Sequence, residues 1–396
     1  MTSLKERMAE LEPYFINLRR KIHAHPEIAM EEINTTALIK SELEKYGIKA
    51  VDNGKNTGVV GVLSGGHPGK VIALRADIDA LPLTEETGLE YESTVKGKCH
   101  ACGHDIHTAT LLAAAKLLSE RKADIHGTVK FIFQPAEEGQ MGAKTIIGNG
   151  FLNDVDAIFG AHTWPEIQGG SIGIKRGPMM AGAARFNIDI SVRGGHAAHP
   201  HKTSDSIVIA AYILLGIQSI VARELKPVDS AVITVGKMEA GTAANVIPAK
   251  VRLEGTFRYL LPEVRDQIKE AITRIAIGTA QAHRAEASVE IIDNGPPVIN
   301  NEELVNMVEE AAETLLGVDH CVELSQASMG SEDFAYYLEQ KPGAFFRLGT
   351  MENAVNYKLA LHNSKLLFSE KAIAAGAVTE CGIVYLFTGS DINSLK

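Results

Sequence analysis

Residues 99–107 read CHACGHDIH and residues 134–139 read QPAEEG. The first segment packs two cysteines, three histidines and an aspartate into nine positions; the second sets Glu137 beside Glu138 straight after an apolar run. Sulfur, imidazole and carboxylate donors with one carboxylate to spare are the parts of a catalytic metal centre that activates water. A fold that uses them must bring two separate segments to one point. Cys102 and His104, two residues apart, reach one centre from a loop. One glutamate of the pair ligates and the other stays free as a base, because two adjacent buried carboxylates repel unless a cation lies between them. His162 in FGAHTW and His362 in ALHNSK sit in similarly punctuated settings. Asp77 and Asp79 follow a strand-like run, where either can orient a ligand histidine.

Other readings of these residues exist. Cys99 and Cys102 also fit a redox pair or half of a structural zinc site. No second C-x-x-C completes a four-cysteine site, and the strand-then-helix redox context is missing. The Glu137–Glu138 pair also reads as a solvated acidic turn, and Arg258 as a surface ion pair. GGHAAHPH at 194–201 puts three histidines on a glycine-rich turn, which suits a second metal site or a polar finger into an active site.

A chain of 396 residues is too long for one ordinary core, so two domains are expected. The pattern up to about residue 183 alternates strands and helices: helices at 3–24 and 31–46, strands at 57–65 and 70–77, a helix at 106–120, and strands at 128–135 and 156–162. Pro13 interrupts the first helix locally. This alternation predicts a largely parallel, doubly wound sheet, with QPAEEG and FGAH at the carboxyl ends of strands where such sheets gather their sites. Residues 184–294 read strand, helix, strand, strand, helix, strand, the ferredoxin-like split order. They predict a domain inserted into the larger one, formed by 1–183 and 295–396. A net charge of −10 without a basic stripe excludes an ordinary nucleic-acid binder. No run approaches the ~20 apolar residues of a membrane span. The N-terminus lacks a signal-peptide core, and four cysteines make no disulfide framework, which fits a cytoplasmic enzyme.

Nine motifs in order identify a resemblance covering nearly the whole chain: RRKIHAHPE at 19–27, RADIDALP at 75–82, HACGHDIH at 100–107, QPAEEG at 134–139, GAH at 160–162, GGHAAHPH at 194–201, NVIP at 245–248, SEDFAYY at 331–337 and LHN at 361–363. The chain resembles the amidohydrolase branch (aminoacylases, hippurate hydrolases, plant auxin-conjugate hydrolases) of the co-catalytic metallopeptidases, a group that includes carboxypeptidase G and succinyl-diaminopimelate desuccinylase. The resemblance implies a zinc-peptidase-like α/β catalytic domain with an inserted α+β lid that makes a homodimer. It implies two divalent metal ions, among zinc, manganese, nickel and cobalt, held by Cys102, His104, Glu138, His162 and His362. Glu137 is then the general base, and Asp79 matches the family's supporting aspartate. His196 matches a lid histidine that reaches the partner subunit's active site in relatives, and Asn245 and Arg258 match lid positions that bind substrate. Cys99 departs from the apolar residue common there and leaves an oxidation-sensitive pair with Cys102 open. The expected reaction is hydrolysis of the amide bond of small N-acyl amino acids. The alternatives are a carboxypeptidase or dipeptidase with the same site, and a metal-binding or redox-sensing relative without catalysis.

Overall fold

The structure is a computed structural model that describes residues 2–139, 142–352 and 359–396. It divides into two compact units, the first formed by Met1–Gly177, Ile299–Gln326 and Asp333–Lys396, the second by Pro178–Val298 and Ala327–Glu332.

The first unit opens with helices α1 (Leu4–Ala24) and α2 (Ile33–Lys45) and strands β1 (Lys49–Asp52), β2 (Val59–Ser64) and β3 (His67–Asp77). Helix α3 (His104–Glu120), β4 (His126–Gln134), α4 (Gly142–Gly148), β5 (Ala157–Gln168) and β6 (Ile172–Ile174) follow. Helix α1 is capped by Ser3 and Glu6, which satisfy each other's backbone N–H groups. It runs straight through Pro13. A proline in a helix interior costs about 3 kcal/mol. Burial of Leu4, Met8, Phe15, Leu18 and Ile22 on one face, at roughly 1.5–3 kcal/mol each, outweighs it.

The chain then builds the second unit from β7 (Gly177–Met180), which straddles its start, β8 (Gly182–Ser191), β9 (Gly195–His196), α5 (Ser206–Arg223), β10 (Ala231–Ala240), β11 (Val246–Ile247), β12 (Lys250–Tyr259), α6 (Pro262–Ala282) and β13 (Glu286–Gly295). Its antiparallel sheet has the order β10-β12-β8-β13, the split arrangement expected from the strand–helix alternation. Along β8, Ala184, Phe186, Ile188 and Ile190 enter a core shared with Ile213 and Ile217 of α5 and Ile268 and Ile272 of α6. Arg185 and Asn187 take the alternate positions on the other face.

After β14 (Val298–Asn300), the first unit is completed by α7 (Glu302–Leu315), β15 (Cys321–Glu323), α8 (Ala335–Leu338), β16 (Gly343–Met351) and α9 (Lys371–Thr388). Its sheet has the order β1-β2-β4-β3-β5-β16-β6-β15. It is mixed rather than largely parallel: β4, β3, β5 and β16 run parallel, whereas β1–β2, β2–β4 and β16–β6 are antiparallel. Of these antiparallel pairs only β1–β2 is joined by a short connection; β2–β4 and β16–β6 pair strands far apart in sequence, and β15 runs parallel to β6. Helices α3 and α9 pack on each other and on β3 and are buried nearly all round, as core helices are. Gly376 makes their contact possible, since a Cβ there would lie 2.6 Å from Thr110 Cγ2.

Helices α5 and α9 are both long and apolar enough to cross a membrane, contrary to the expectation of no such run; 78% of α9 is buried in the protein and 33% of α5. Helix α9 also buries Glu380, whose Oε2 has no hydrogen-bond partner. Burial pushes its carboxyl from 4.5 up to about 8. The folded chain therefore binds a proton there that the unfolded chain releases above pH 4.5, so this group's contribution to stability falls as pH rises from about 4.5 to 8. Glu380→Gln is expected to melt close to the parent at pH 5 and clearly above it at pH 8. Equal melting-temperature differences at both pH values would contradict the assignment.

Candidate metal centre

The centre is built where β3 and β4 end. Past Asp77, the last residue of β3, Ile78 N–H donates to Gln134 O at 2.9 Å, which keeps the two chain segments in step. Past Gln134 the chain turns at Ala136, a non-glycine residue with φ 52°. Left-handed backbone at such a residue must be held by its surroundings. The buried Glu32 carboxylate holds it, accepting from Ala136 N–H at 2.9 Å and from the Thr57 hydroxyl at 2.5 Å. The turn sends Glu137 and Glu138 off the end of the strand.

His104 is the first residue of α3, and Cys102 lies in the loop before it. Gly103 between them has φ 83°, and a Cβ there would fall 2.6 Å from Thr163 Oγ1, so no other residue fits without displacement. That hydroxyl donates to Cys102 O at 2.7 Å and ties the loop to β5. His104 Nδ1 donates to Asp79 Oδ1 at 3.2 Å, and Asp79 Oδ2 accepts from Glu138 N–H at 3.1 Å. One aspartate thus orients a histidine and the backbone of a glutamate. The carboxylate can only accept, so a hydrogen sits on Nδ1, and Nε2 is the nitrogen of His104 that a metal can take once that nitrogen's own proton is displaced. That atom is buried without a hydrogen-bond partner.

His162 lies inside β5 rather than at its end. The expectation of a strand end holds against β3 alone, whose pairing with β5 stops at Gly160, while β16 continues alongside to Met351. Beyond Gly160 the β3 side of β5 is no longer paired with β3. His162 Nδ1 donates to Thr163 O at 2.8 Å, and its Nε2 lies 3.3 Å from Cys102 Sγ. His107 looks like a further ligand by type, but both of its nitrogens are engaged. Nδ1 donates to Asp77 Oδ1 at 2.5 Å and Nε2 accepts from Thr163 N–H at 2.7 Å. It holds the backbone next to His162 and has no lone pair to give. His362, in a loop with φ 67°, puts Nε2 3.0 Å from Glu138 Oε1. That oxygen is buried and receives no well-formed hydrogen bond.

Among the donor groups whose ligand atoms lie within 4.8 Å of one another, Glu137 joins His104 and Glu138 in one, and two others are the triads Cys102–His104–His162 and Cys102–Glu138–His362. Cys102 belongs to both. The surrounding charge calls for a cation. Burial and the carboxylates of Glu138 and Glu137 push the Cys102 thiol well above its ordinary range. Burial would neutralise His104, but Asp77 and Asp79 outweigh it and raise it to about 10. Burial would likewise raise Glu138, but His362 and His104 pull it below its ordinary value. Protons here stand where a divalent ion would satisfy the orphaned Nε2, the thiolate and the carboxylate together. The residues fit a metal pair.

Glu137 is buried beside this set, and its Oε1 accepts from Asp333 N–H at 3.3 Å. The Asp333 carboxylate in turn accepts from Arg75 Nη2 at 2.8 Å, from Gln134 Nε2 at 2.8 Å and from Ala143 N–H at 3.0 Å. Sequence reasoning did not single out Arg75, Gln134, Asp333, Glu32 or His107. All but Glu32 lie inside segments quoted above as motifs, which was the available signal.

In the second unit, His196 is exposed on β9, opposite Val246 of β11, and Asn245 O accepts from Ala197 N–H at 3.1 Å, so His196 and Asn245 are neighbours. His196, His199 and His201 stand in a row with ring centroids 5.6 and 6.0 Å apart. Arg258 lies apart from them on β12 and donates to Ser331 Oγ at 2.9 Å. Among the described residues no carboxylate pairs with it; burial and Arg185 lower its pKa. Cys99 and Cys102 are both buried free thiols, and burial pushes Cys99 up to about 11, away from the reactive thiolate.

Residues 73–384 match the model of peptidase family M20/M25/M40. The chain belongs to this family. It is 43% identical over 345 residues to an N-acetyl-L-cysteine deacetylase of Bacillus subtilis (strain 168), covering 87% of this chain and 82% of the relative. It is 40% identical over 368 residues to the IAA-amino acid hydrolase ILR1-like 4 of Arabidopsis thaliana, covering 92% and 83%. The crystal structure of the Bacillus subtilis YXEP protein, described as a dinuclear metal binding peptidase of family M20, superposes with a TM-score of 0.87 at 36% identity, covering 97% of this chain and all of that one.

A metal held by Cys102 and His104 would displace the protons of both. The zinc affinity of the full-length enzyme is therefore expected to rise with pH between 6 and 9, by about tenfold per pH unit for each proton displaced. Equilibrium dialysis at several pH values checks this, and a flat profile would contradict it.

Proposed function

We propose that the enzyme hydrolyses the amide bond of N-acyl amino acids, releasing a carboxylic acid and a free amino acid. Cys102, His104, Glu138, His162 and His362 would hold two divalent ions. Thiolate and imidazole donors favour zinc, nickel or cobalt over calcium or magnesium, and manganese would lean on the carboxylate donors. Such ions supply Lewis acidity, making water a stronger acid and the acyl carbonyl a better electrophile. One observation carries the reading: a buried carboxylate, Glu137, lies within 4.8 Å of His104 and Glu138 and is oriented by a backbone N–H from Asp333, while five other side chains supply the donors assigned above. That is the placement of a general base. Glu137 takes the proton of the attacking water and returns it to the amine nitrogen as the C–N bond breaks. The relatives' named activities, deacetylation of N-acetylcysteine and hydrolysis of an amino acid conjugate, support this bond and this substrate class.

The second unit supplies recognition in this proposal. Arg258 takes the α-carboxylate of the amino acid, since a guanidinium fork matches it and no protein carboxylate competes among the described residues. Asn245 assists, and His196 donates to the oxyanion of the tetrahedral intermediate. We place His196 in the centre of a second copy within a homodimer made by the inserted unit. Exposed apolar side chains on α5 support that interface: Leu215 is 66% exposed and Tyr212 53%. The free cysteines fit a cytoplasmic setting.

The test is release of amino acid from N-acetyl and N-benzoyl amino acids, their α-methyl esters and dipeptides, with and without chelator. The expected result is chelator-sensitive turnover that favours free acids over esters. Glu137→Ala should lose about 10²–10⁴-fold in kcat while keeping its metal. Activity within a few-fold of the parent would remove Glu137 from the base role, and equal rates on acid and ester would remove Arg258 from recognition.

A further inference from the structure

Five side chains are brought to the centre as ligands, but they are not held alike. Cys102, His104 and His162 are buried, whereas the His362 side chain is 51% exposed and Glu138 18%. His362 also sits in left-handed backbone without being glycine. Residues 361–370 form no helix or strand. Its own backbone is tied to Ala101, whose carbonyl accepts from His362 N–H at 3.0 Å. The next ties come from a segment to which the proposed reaction assigns nothing, residues 82–98.

That segment has no helix or strand, yet it is a built object. Its ends are pinned by a bridge in which Leu81 and Cys99 exchange both backbone hydrogen bonds, at 2.9 and 3.1 Å. Its root is an almost buried carboxylate, Glu85, with 4% of the side chain exposed. Glu85 accepts from the Thr87 hydroxyl at 2.5 Å and Ser93 N–H at 2.8 Å, and pairs with His23 Nε2 at 2.9 Å. His23 Nδ1 donates onward to Asp105 at 2.8 Å, whose carboxylate also lies 2.6 Å from the Arg19 guanidinium. Asp105 is the residue after His104. Thr94 adds two hydrogen bonds to Ala24 O, at 2.9 and 2.7 Å. The loop is therefore anchored to α1 and to the start of the ligand-bearing helix α3.

Next to that anchor, Glu86 reaches the His362 loop. Its N–H donates to Ser364 O at 2.8 Å and its carboxylate accepts from Ser364 Oγ at 2.8 Å, with Lys365 Nζ 4.0 Å away. A long irregular loop with paired ends, a buried anchor and a reciprocal contact beside a ligand is usually functional. We infer that the 82–98 segment is a clasp that holds His362 in place through Glu86 and Ser364. These two are positioning residues for the more open of the two metal positions. The inference rests on the two-metal reading above. Outer partners of metal ligands typically contribute about 10–100-fold in metal affinity.

The test uses full-length enzyme loaded with Co²⁺ and challenged with excess chelator, with cobalt release followed in time. The parent should hold two equivalents and lose them in a fast and a slow phase. Glu86→Ala and Ser364→Ala should each speed the fast phase about tenfold and leave the slow phase unchanged. The double variant should be no faster than either single, because both remove one interaction. Glu86→Gln, which keeps an acceptor for Ser364 Oγ, should behave like the parent. Both side chains are on the surface, so loss of folding does not confuse the result. An unchanged fast phase in both single variants, or equal acceleration of both phases, would overturn the clasp while leaving the two-metal centre standing. A parent that holds fewer than two equivalents would overturn the two-metal reading, and the clasp with it.

Discussion

A buried guanidinium organises this centre. Arg75 is 1% exposed, and a charge so placed is tolerated only when its donors are satisfied, since the desolvation penalty is several kcal/mol. Its Nε donates to Gln134 Oε1, its Nη1 to Asp77 Oδ2 and its Nη2 to Asp333 Oδ1, each at 2.8 Å. Those acceptors come from β3, from the end of β4 and from the loop before α8. Tyr337 closes the set by donating to Gln134 Oε1 at 2.9 Å. Removing one member of such a group strands the others, so the three segments are locked to one geometry rather than loosely adjacent.

Both halves of the proposed chemistry hang from that lock. Through Asp77 it reaches His107, then Thr163 and the backbone beside His162. Through Asp333 it reaches Glu137. Burial would raise Asp77, but His104, His107 and Arg75 hold it well below its ordinary value, so it stays charged. Asp79, two residues on, sets His104 and Glu138 together. His104 and His162, two of the proposed ligands, consequently turn Nε2 to the centre because their Nδ1 hydrogens are engaged by Asp79 and by the Thr163 carbonyl. The base and the ligands are positioned by one connected set of hydrogen bonds, with His362 the exception, held from a separate loop.

The ligand candidates were legible because rare residue types crowd into short segments, and the helix and strand positions because apolar spacing survives in one dimension. Helix α1 shows the limit of local rules: Pro13 weakens the pattern, but five buried side chains on one face decide the outcome. Alternation of strands and helices predicts a largely parallel sheet because it says which segments are strands, not which way outer strands such as β1 and β6 run. His162 was placed at a strand end because β5 outlasts only one of its two neighbours. Arg75 and Asp333 were invisible as a pair for a simpler reason. They are 258 residues apart, each reads as an ordinary charged residue in its own motif, and only the fold brings them together.

Turnover of Arg75→Lys, measured at saturating metal with metal content determined on the same sample, tests this account most directly. Lysine keeps the charge but cannot serve three acceptors in a fixed fork. The account predicts that two metal equivalents remain while kcat falls by about tenfold or more, since misplacing a catalytic group by an ångström is worth up to about 10². Parental kcat with full metal content would contradict it, because Glu137 would then be positioned without the guanidinium.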